Sequence, residues 1–171
     1  MRSLRIELRS ESVSADEAFD RISEFEKYPE LVDEVRDVTV RTRDDGHTVS
    51  DWEVYFRNGP LRWSEVDYFQ HDRRRIIFEQ LSGDFHIFRG SWAVDPVRAG
   101  SSVQFEATFD FGIPSLTGVL EPIATKVLKE GIALVVSRLI NGSSIIGDPA
   151  VEAVVTRKLA RTDDTGQVLT H

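Results

Sequence analysis

The sequence predicts an α+β fold: a curved antiparallel sheet of about seven strands around a long C-terminal helix, with two short helices after the first strand. Three observations predict it. Apolar and polar residues alternate in short runs between residues 36 and 111, the period of half-buried strands. A helix-start signature and a helical apolar period over 14–26 follow an earlier alternating run at residues 4–9. A long helical stretch opens at Pro114, and it alone is long enough to cover the apolar face of one curved sheet.

Leu4, Ile6 and Leu8 alternate with Arg5, Glu7 and Arg9, which makes a half-buried first strand. "SADE" (14–17) then reads as a capping box: Ser14 accepts from the Glu17 amide and Glu17 reaches back. Ala15, Ala18, Phe19, Ile22 and Phe25 place a helix over 15–26, and Tyr28-Pro29 ends it. Pro29 suits the first turn of a second short helix through Val32. Strands follow from 36, over 48–57, 61–70, 75–81, 85–94 and 102–111. "RDDGH", Asn58-Gly59, "HDRR", "SGD" and "DPVRAGS" turn the chain between them. The last strand is the clearest, with Val103, Phe105, Ala107, Phe109 and Phe111 on one face. The long helix runs from Pro114 to about Leu139, with Leu116, Leu120, Ile123, Val127, Gly131, Leu134 and Arg138 near one face. "NGSSIIGDP" breaks it, a short helix is expected over 150–160, and the tail "RTDDTGQVLTH" is expected to be disordered. Residues 1–147 are expected to form one ligand-binding domain, and 148–171 a partly disordered C-terminal extension.

The 171 residues suit a single domain with a sizeable core. A net charge of -8 argues against nucleic acid as a partner. Cysteine is absent, so there is no disulfide framework and no thiolate metal site, in keeping with a cytoplasmic protein. No apolar stretch is long enough for a membrane span, and the alternating N-terminus is not that of a signal peptide. No metal-ligand spacing, glycine-rich phosphate loop or nucleophile elbow is present.

The order of elements, with "FEKYPELVDEVRDVTV" (25–40) and "SGDFHIFRGSWAVDP" (82–96), resembles the START-like helix-grip superfamily over residues 3–141. The resemblance implies a deep apolar pocket under the C-terminal helix. The superfamily includes polyketide cyclases and aromatases, coenzyme Q-binding proteins and plant carriers, so fold alone does not fix function. Tyr28 and Trp92 match aromatic positions of the aromatase/cyclases. The arginine and tyrosine of those enzymes fall at Val66 and Val35 here, while "FEATFDFGIPSLTGVLEPIATKVL" is more similar to the coenzyme Q-binding branch.

Two side chains are candidate catalytic groups. His86 shares a strand face with Phe88, Gly90 and Trp92, where an imidazole can relay protons. Arg62 shares a face with Ser64, Val66 and Tyr68; turned inward, its guanidinium can polarise a ligand oxygen. The opposite choice packs Trp63 inside and buries Glu65 and Asp67. The Arg62 face is preferred, because two unpaired buried carboxylates cost more than one arginine at a pocket mouth. Tyr28, Trp52, Phe56, Phe88 and Trp92 offer flat apolar surface, and Phe109, Ile123, Val127 and Gly131 complete the expected lining. Small Gly90 and Gly131 are expected to leave room for a ligand.

The expected function is a cofactor-independent polyketide cyclase or dehydratase that folds a hydrophobic intermediate in its pocket, catalysing mainly by positioning. An acyl carrier protein is a possible partner, met by the basic turn "HDRRR" (71–75). The alternative is a carrier or chaperone for a quinone or other lipid, without chemistry.

Overall fold

The computed structural model describes residues 1–169 except Asn58 and Ile113, with the side chains of 114–119 and 162–169 left out of account. The element order is β1 (Arg2–Ser10), α1 (Ala15–Ile22), α2 (Tyr28–Leu31), β2 (Val35–Thr42), β3 (Thr48–Tyr55), β4 (Pro60–Gln70), β5 (Arg75–Gly83), β6 (Ile87–Val97), β7 (Gly100–Asp110), α3 (Pro114–Leu139), β8 (Ser144–Ile145) and α4 (Pro149–Leu169). The eight strands form one sheet in the order β2-β3-β4-β5-β6-β7-β1-β8. All its pairings are antiparallel, and the long helix α3 packs against it, as the sequence predicts. Asn58 of the expected turn, the Leu116 side chain and the end of the expected disordered tail, Thr170 and His171, lie outside the described residues.

The strands close tightly on one another at Gly90. A Cβ there would lie 2.0 Å from the Glu106 carbonyl oxygen and 2.6 Å from the Phe78 ring. Gly90 pairs with Ala107 on one side and Phe78 on the other, so the backbones close to a distance that no side chain allows. This corrects the expectation that Gly90 opens ligand space. The Phe78 ring and the β7 backbone already occupy that space, and the missing side chain permits their close approach.

α1 stops at Ile22, four residues short of the expected end. The Ser23 hydroxyl donates to the Phe19 carbonyl at 2.7 Å, and Glu24 leaves the helical region (φ -84°, ψ 66°). A turn of 3₁₀ helix, Phe25–Lys27, then delivers Phe25 and Tyr28 to the interior. Two arginines join these short helices to α3 through carbonyls at helix ends: Arg21 donates to Leu139 O (2.9 Å) and Arg138 to Leu31 O.

α4 is longer than the expected 150–160 helix. Asp148 caps it, accepting from the Val151 amide at 3.2 Å, while its other oxygen meets Lys129 Nζ of α3 at 3.2 Å. Val151 and Val155 are buried beneath it. No helix of the described residues is long and apolar enough to cross a membrane.

Half of the expected capping box forms. Ser14 Oγ accepts from the Glu17 amide at 3.2 Å, while Glu17 turns away to Arg21 at 2.5 Å. Ser14→Ala is therefore expected to lower unfolding free energy by about 1 kcal/mol. Denaturant midpoints check this, and an unchanged midpoint would remove the cap from the account.

Candidate active site

Under α3, the concave face of the sheet encloses an apolar cavity. Phe25, Tyr28 and Val32 close one side; Trp52, Val54 and Trp63 another; Phe78, Phe88, Trp92 and Phe105 form the floor. Val127, Leu128, Gly131, Ile132 and Val135 of α3 form the roof. Aromatic packing defines the walls. Trp52 and Trp63, directly opposite on β3 and β4, stack nearly parallel (2°) with centroids 5.9 Å apart, and Tyr28 meets Trp52 edge-on at 5.7 Å. The space is narrow, about 70 Å³. That holds about two waters, well below the roughly 300 Å³ at which small-molecule pockets begin. A ligand of several rings requires these walls to part.

Two carboxylates break the apolar lining, partly exposed Glu34 and buried Glu65. Glu65 faces the cavity from β4, with Asp67 two residues on along the same face. Both are buried, at 4% and 2% exposure. Their donors form a directed chain. Trp52 Nε1–H donates to Ser50 Oγ (2.8 Å), and the Ser50 hydroxyl donates to Asp67 Oδ2 (2.5 Å). From the other end, Trp63 Nε1–H donates to Glu65 Oε1 (2.8 Å). Among the described residues no donor reaches buried Asp67 Oδ1. Glu65, two residues back on the same face, is the neighbouring carboxyl, and the two influence each other's titration. Burial pushes the Glu65 acid well above the ordinary carboxylate range, reinforced by the hydrogen bond to Asp67 and by its negative charge. Burial also raises Asp67, opposed by the hydrogen bonds from Glu65 and Ser50. The two form a buried acidic pair of raised proton affinity beside an apolar void, with Glu65 in front and Asp67 behind it.

This reverses the orientation expected for β4. Arg62, Ser64 and Tyr68 lie on the outer face. Arg62 is two-thirds exposed and ion-paired with Glu53 at 3.2 Å; Ser64 binds Asp51; the Tyr68 ring meets His47. Val66 is buried against neighbours outside the cavity. The physical reason is Trp63. Burying an indole of ~200 Å² contributes about 5 kcal/mol at ~25 cal/mol per Å². Each carboxyl also has one donor, Trp63 for Glu65 and Ser50 for Asp67, which lowers the cost that favoured the Arg62 face.

His86 is also outside. Phe85 takes the inward position and stacks on Phe88 (centroids 4.6 Å), β6 begins only at Ile87, and His86 is left exposed beside Gly112. Phe85 and Phe88 both point inward three residues apart, which breaks the strict alternation that placed His86. Of the remaining expected residues, Tyr28, Trp52, Phe88, Trp92, Val127 and Gly131 line the cavity. Tyr28 is a wall and not an acid: its hydroxyl donates to the Ile22 carbonyl at 2.6 Å, and burial, then Glu65 and Asp67, raise its pKa well above normal. Phe56 and Ile123 border a separate apolar space of about 150 Å³, and Phe109 packs in the core. No cluster of metal-ligating side chains occurs among the described residues.

Residues 12–134 match the family described as polyketide cyclase / dehydrase and lipid transport, and the chain belongs to that family. No curated protein matches it in sequence. Among solved structures, it is similar to a protein of Thermus thermophilus (TM-score 0.71, 22% identity, 81% of this chain and 94% of that one). It is similar also to the Zhui aromatase/cyclase of a Streptomyces species (TM-score 0.65, 13% identity, 81% and 91%). A START superfamily protein of Mycobacterium smegmatis gives TM-score 0.65 at 17% identity, with 81% and 95% covered. These likenesses confirm the helix-grip fold.

The carboxyl pair makes stability depend on pH in a specific direction. Both groups titrate higher in the folded chain than in the unfolded one, so the folded state binds more protons. Stability is then fullest below about pH 4 as far as this pair is concerned, and falls as pH rises through the folded-state values. Glu65→Gln keeps an acceptor for Trp63 and removes one titration. The variant is expected to melt above the parent at about pH 8, the gap closing towards pH 4. Thermal midpoints across that range check it, and parallel curves would refute it.

Proposed function

We propose that this chain is a cofactor-independent cyclase or dehydratase for a hydrophobic, polyketide-like intermediate, and that Glu65 with Asp67 is its acid–base device. One observation carries the reading: an acidic pair held in an otherwise apolar wall. Two buried carboxyls are a poor way to stabilise a core, and apolar residues of similar size generally serve better. Their raised proton affinity at a cavity is what acid–base chemistry near neutral pH requires.

The residues suit carbonyl chemistry. With one proton between them, the pair can accept a second from carbon flanked by carbonyl groups, breaking the C–H bond and leaving an enolate. The same pair then delivers a proton to a departing hydroxyl, so that C–O cleavage releases water and restores the starting protonation. In ring closure the enolate carbon bonds to a second carbonyl carbon, and Glu65 protonates the resulting alkoxide. Trp52, Trp63 and Trp92 offer flat surface to the extended substrate. The alternative, a carrier of a quinone or other lipid, is favoured by the narrowness of the cavity and the lack of any other ionisable group deep within it.

The decisive comparison follows product distribution from a poly-β-keto substrate. The parent should accelerate one cyclised or dehydrated product, and Glu65→Gln should lower kcat by about 10²-fold or more while tryptophan quenching by ligand persists. Unaltered ligand released by both proteins, with only the spontaneous product mixture, would establish the carrier reading.

Gly131 tests where the ligand sits. A Cβ added there meets nothing within 4 Å, so the helix is open above the cavity at this point. Gly131→Leu is expected to weaken ligand binding by about tenfold, whereas Gly131→Ala should stabilise the helix by roughly 0.5–1 kcal/mol. Binding unchanged in Gly131→Leu would move the ligand elsewhere.

A further inference from the structure

We propose that α4 builds an anion-binding subsite over the cavity, so that the ligand is a hydrophobic molecule with a carboxylate or phosphate at its outer end. The inference rests on the apolar cavity being the ligand site. A groove of about 450 Å³ lies between α3, α4 and the β3–β4 end of the sheet. It shares Glu34, Val127 and Gly131 with the cavity, so the two adjoin at the helix position that carries no side chain.

The groove is charged where the cavity is apolar. Arg57, Lys126, Arg157, Lys158 and Arg161 line it, against two carboxylates among the described residues. Those two are already engaged, Glu34 with Lys158 at 3.5 Å and Glu130 with Lys126 at 3.9 Å. Five cations against two anions give this surface a positive sign on a chain whose net charge is -8. Such a reversal beside a cavity mouth attracts an anion and orients it.

The placement follows from helix geometry. Val151 and Val155 seat α4 on the core, and the adjacent stripe, Val154, Arg157, Lys158 and Arg161, falls at intervals of three and four along the groove. α4 also lies beyond residues 12–134, the part of the chain that carries the family. The subsite is therefore this chain's own addition to the shared fold. It assigns the ligand an amphipathic character, with rings or chain against the tryptophans and an anion against α4.

All three tryptophans line the cavity, so their fluorescence reports occupancy in the full chain. Three probes share one ring system: 2-naphthol, neutral at pH 7; 2-naphthoate; and 2-naphthyl phosphate. Both anions should bind about tenfold or more tighter than 2-naphthol, and only their binding should weaken as salt rises. Replacing exposed Arg157 and Arg161 together with alanine should abolish the preference and leave 2-naphthol within about twofold. A preference between the anions separates the sources: phosphate indicates a phosphorylated carrier arm, carboxylate a free acid. Equal affinity for all three probes, or an equal loss for all in the double variant, overturns the subsite and leaves the cavity reading standing. Failure of 2-naphthol itself to bind overturns both.

Discussion

The burial of the Trp63–Glu65–Asp67 face of β4 sets the character of everything around it. Trp63 gives the wall its largest apolar surface and pairs across the sheet with Trp52. The same turn of the strand carries two acids inside with it. They are tolerated because indole and hydroxyl donors reach them, from Trp63 to Glu65 and from Trp52 through Ser50 to Asp67. Trp63 thus acts twice, as apolar wall and as hydrogen-bond donor to Glu65, while Trp52 donates to the Ser50 hydroxyl that serves Asp67. Remove the Trp63 indole and Glu65 loses the donor that supports its burial.

The rest of the fold serves to hold that face closed and reachable. Gly90 lets β6 approach β7 closely, and the Phe25–Tyr28 turn closes one side. Gly131 does the opposite on the helix, leaving a gap above the cavity where any other residue would project. α4 lies beside that gap, tied to α3 through Asp148 and to Glu34 through Lys158. On the proposed reading, a small apolar interior under a wide charged groove suits a molecule that enters from one side and keeps its polar end outside.

Much of this architecture was legible in the chain. Period-two runs located β1 to β7 within a few residues, and the Ser14 cap marked the start of α1. The aromatic lining was legible too, because Tyr28, Trp52, Phe88 and Trp92 stand at inward positions of elements whose faces were clear. The acid–base pair was not. Alternation along β4 defines two faces without saying which is inside, and here both carried aromatic and ionisable residues. The choice turned on whether two carboxyls could share a proton and find donors, which depends on Ser50 and Trp52 of another strand. A single trace was present in the sequence: Trp63 is the largest apolar group on β4, and its burial outweighs the cost of acids that are hydrogen-bonded. His86 was misplaced for a different reason. The chain leaves regular pairing between Gly83 and Ile87, and a one-residue irregularity moves a side chain to the other face.

The proton held by Glu65 is the claim on which the catalytic account stands. Carbon-13 NMR of the side-chain carboxyls, with Glu65 assigned by its loss in Glu65→Gln, measures it directly. The account predicts that the Glu65 carboxyl carbon keeps the chemical shift of the protonated acid well above the ordinary carboxylate range, and that its titration is displaced when Asp67 is replaced by asparagine. A Glu65 signal that titrates near pH 4, about where an exposed glutamate does, would contradict it.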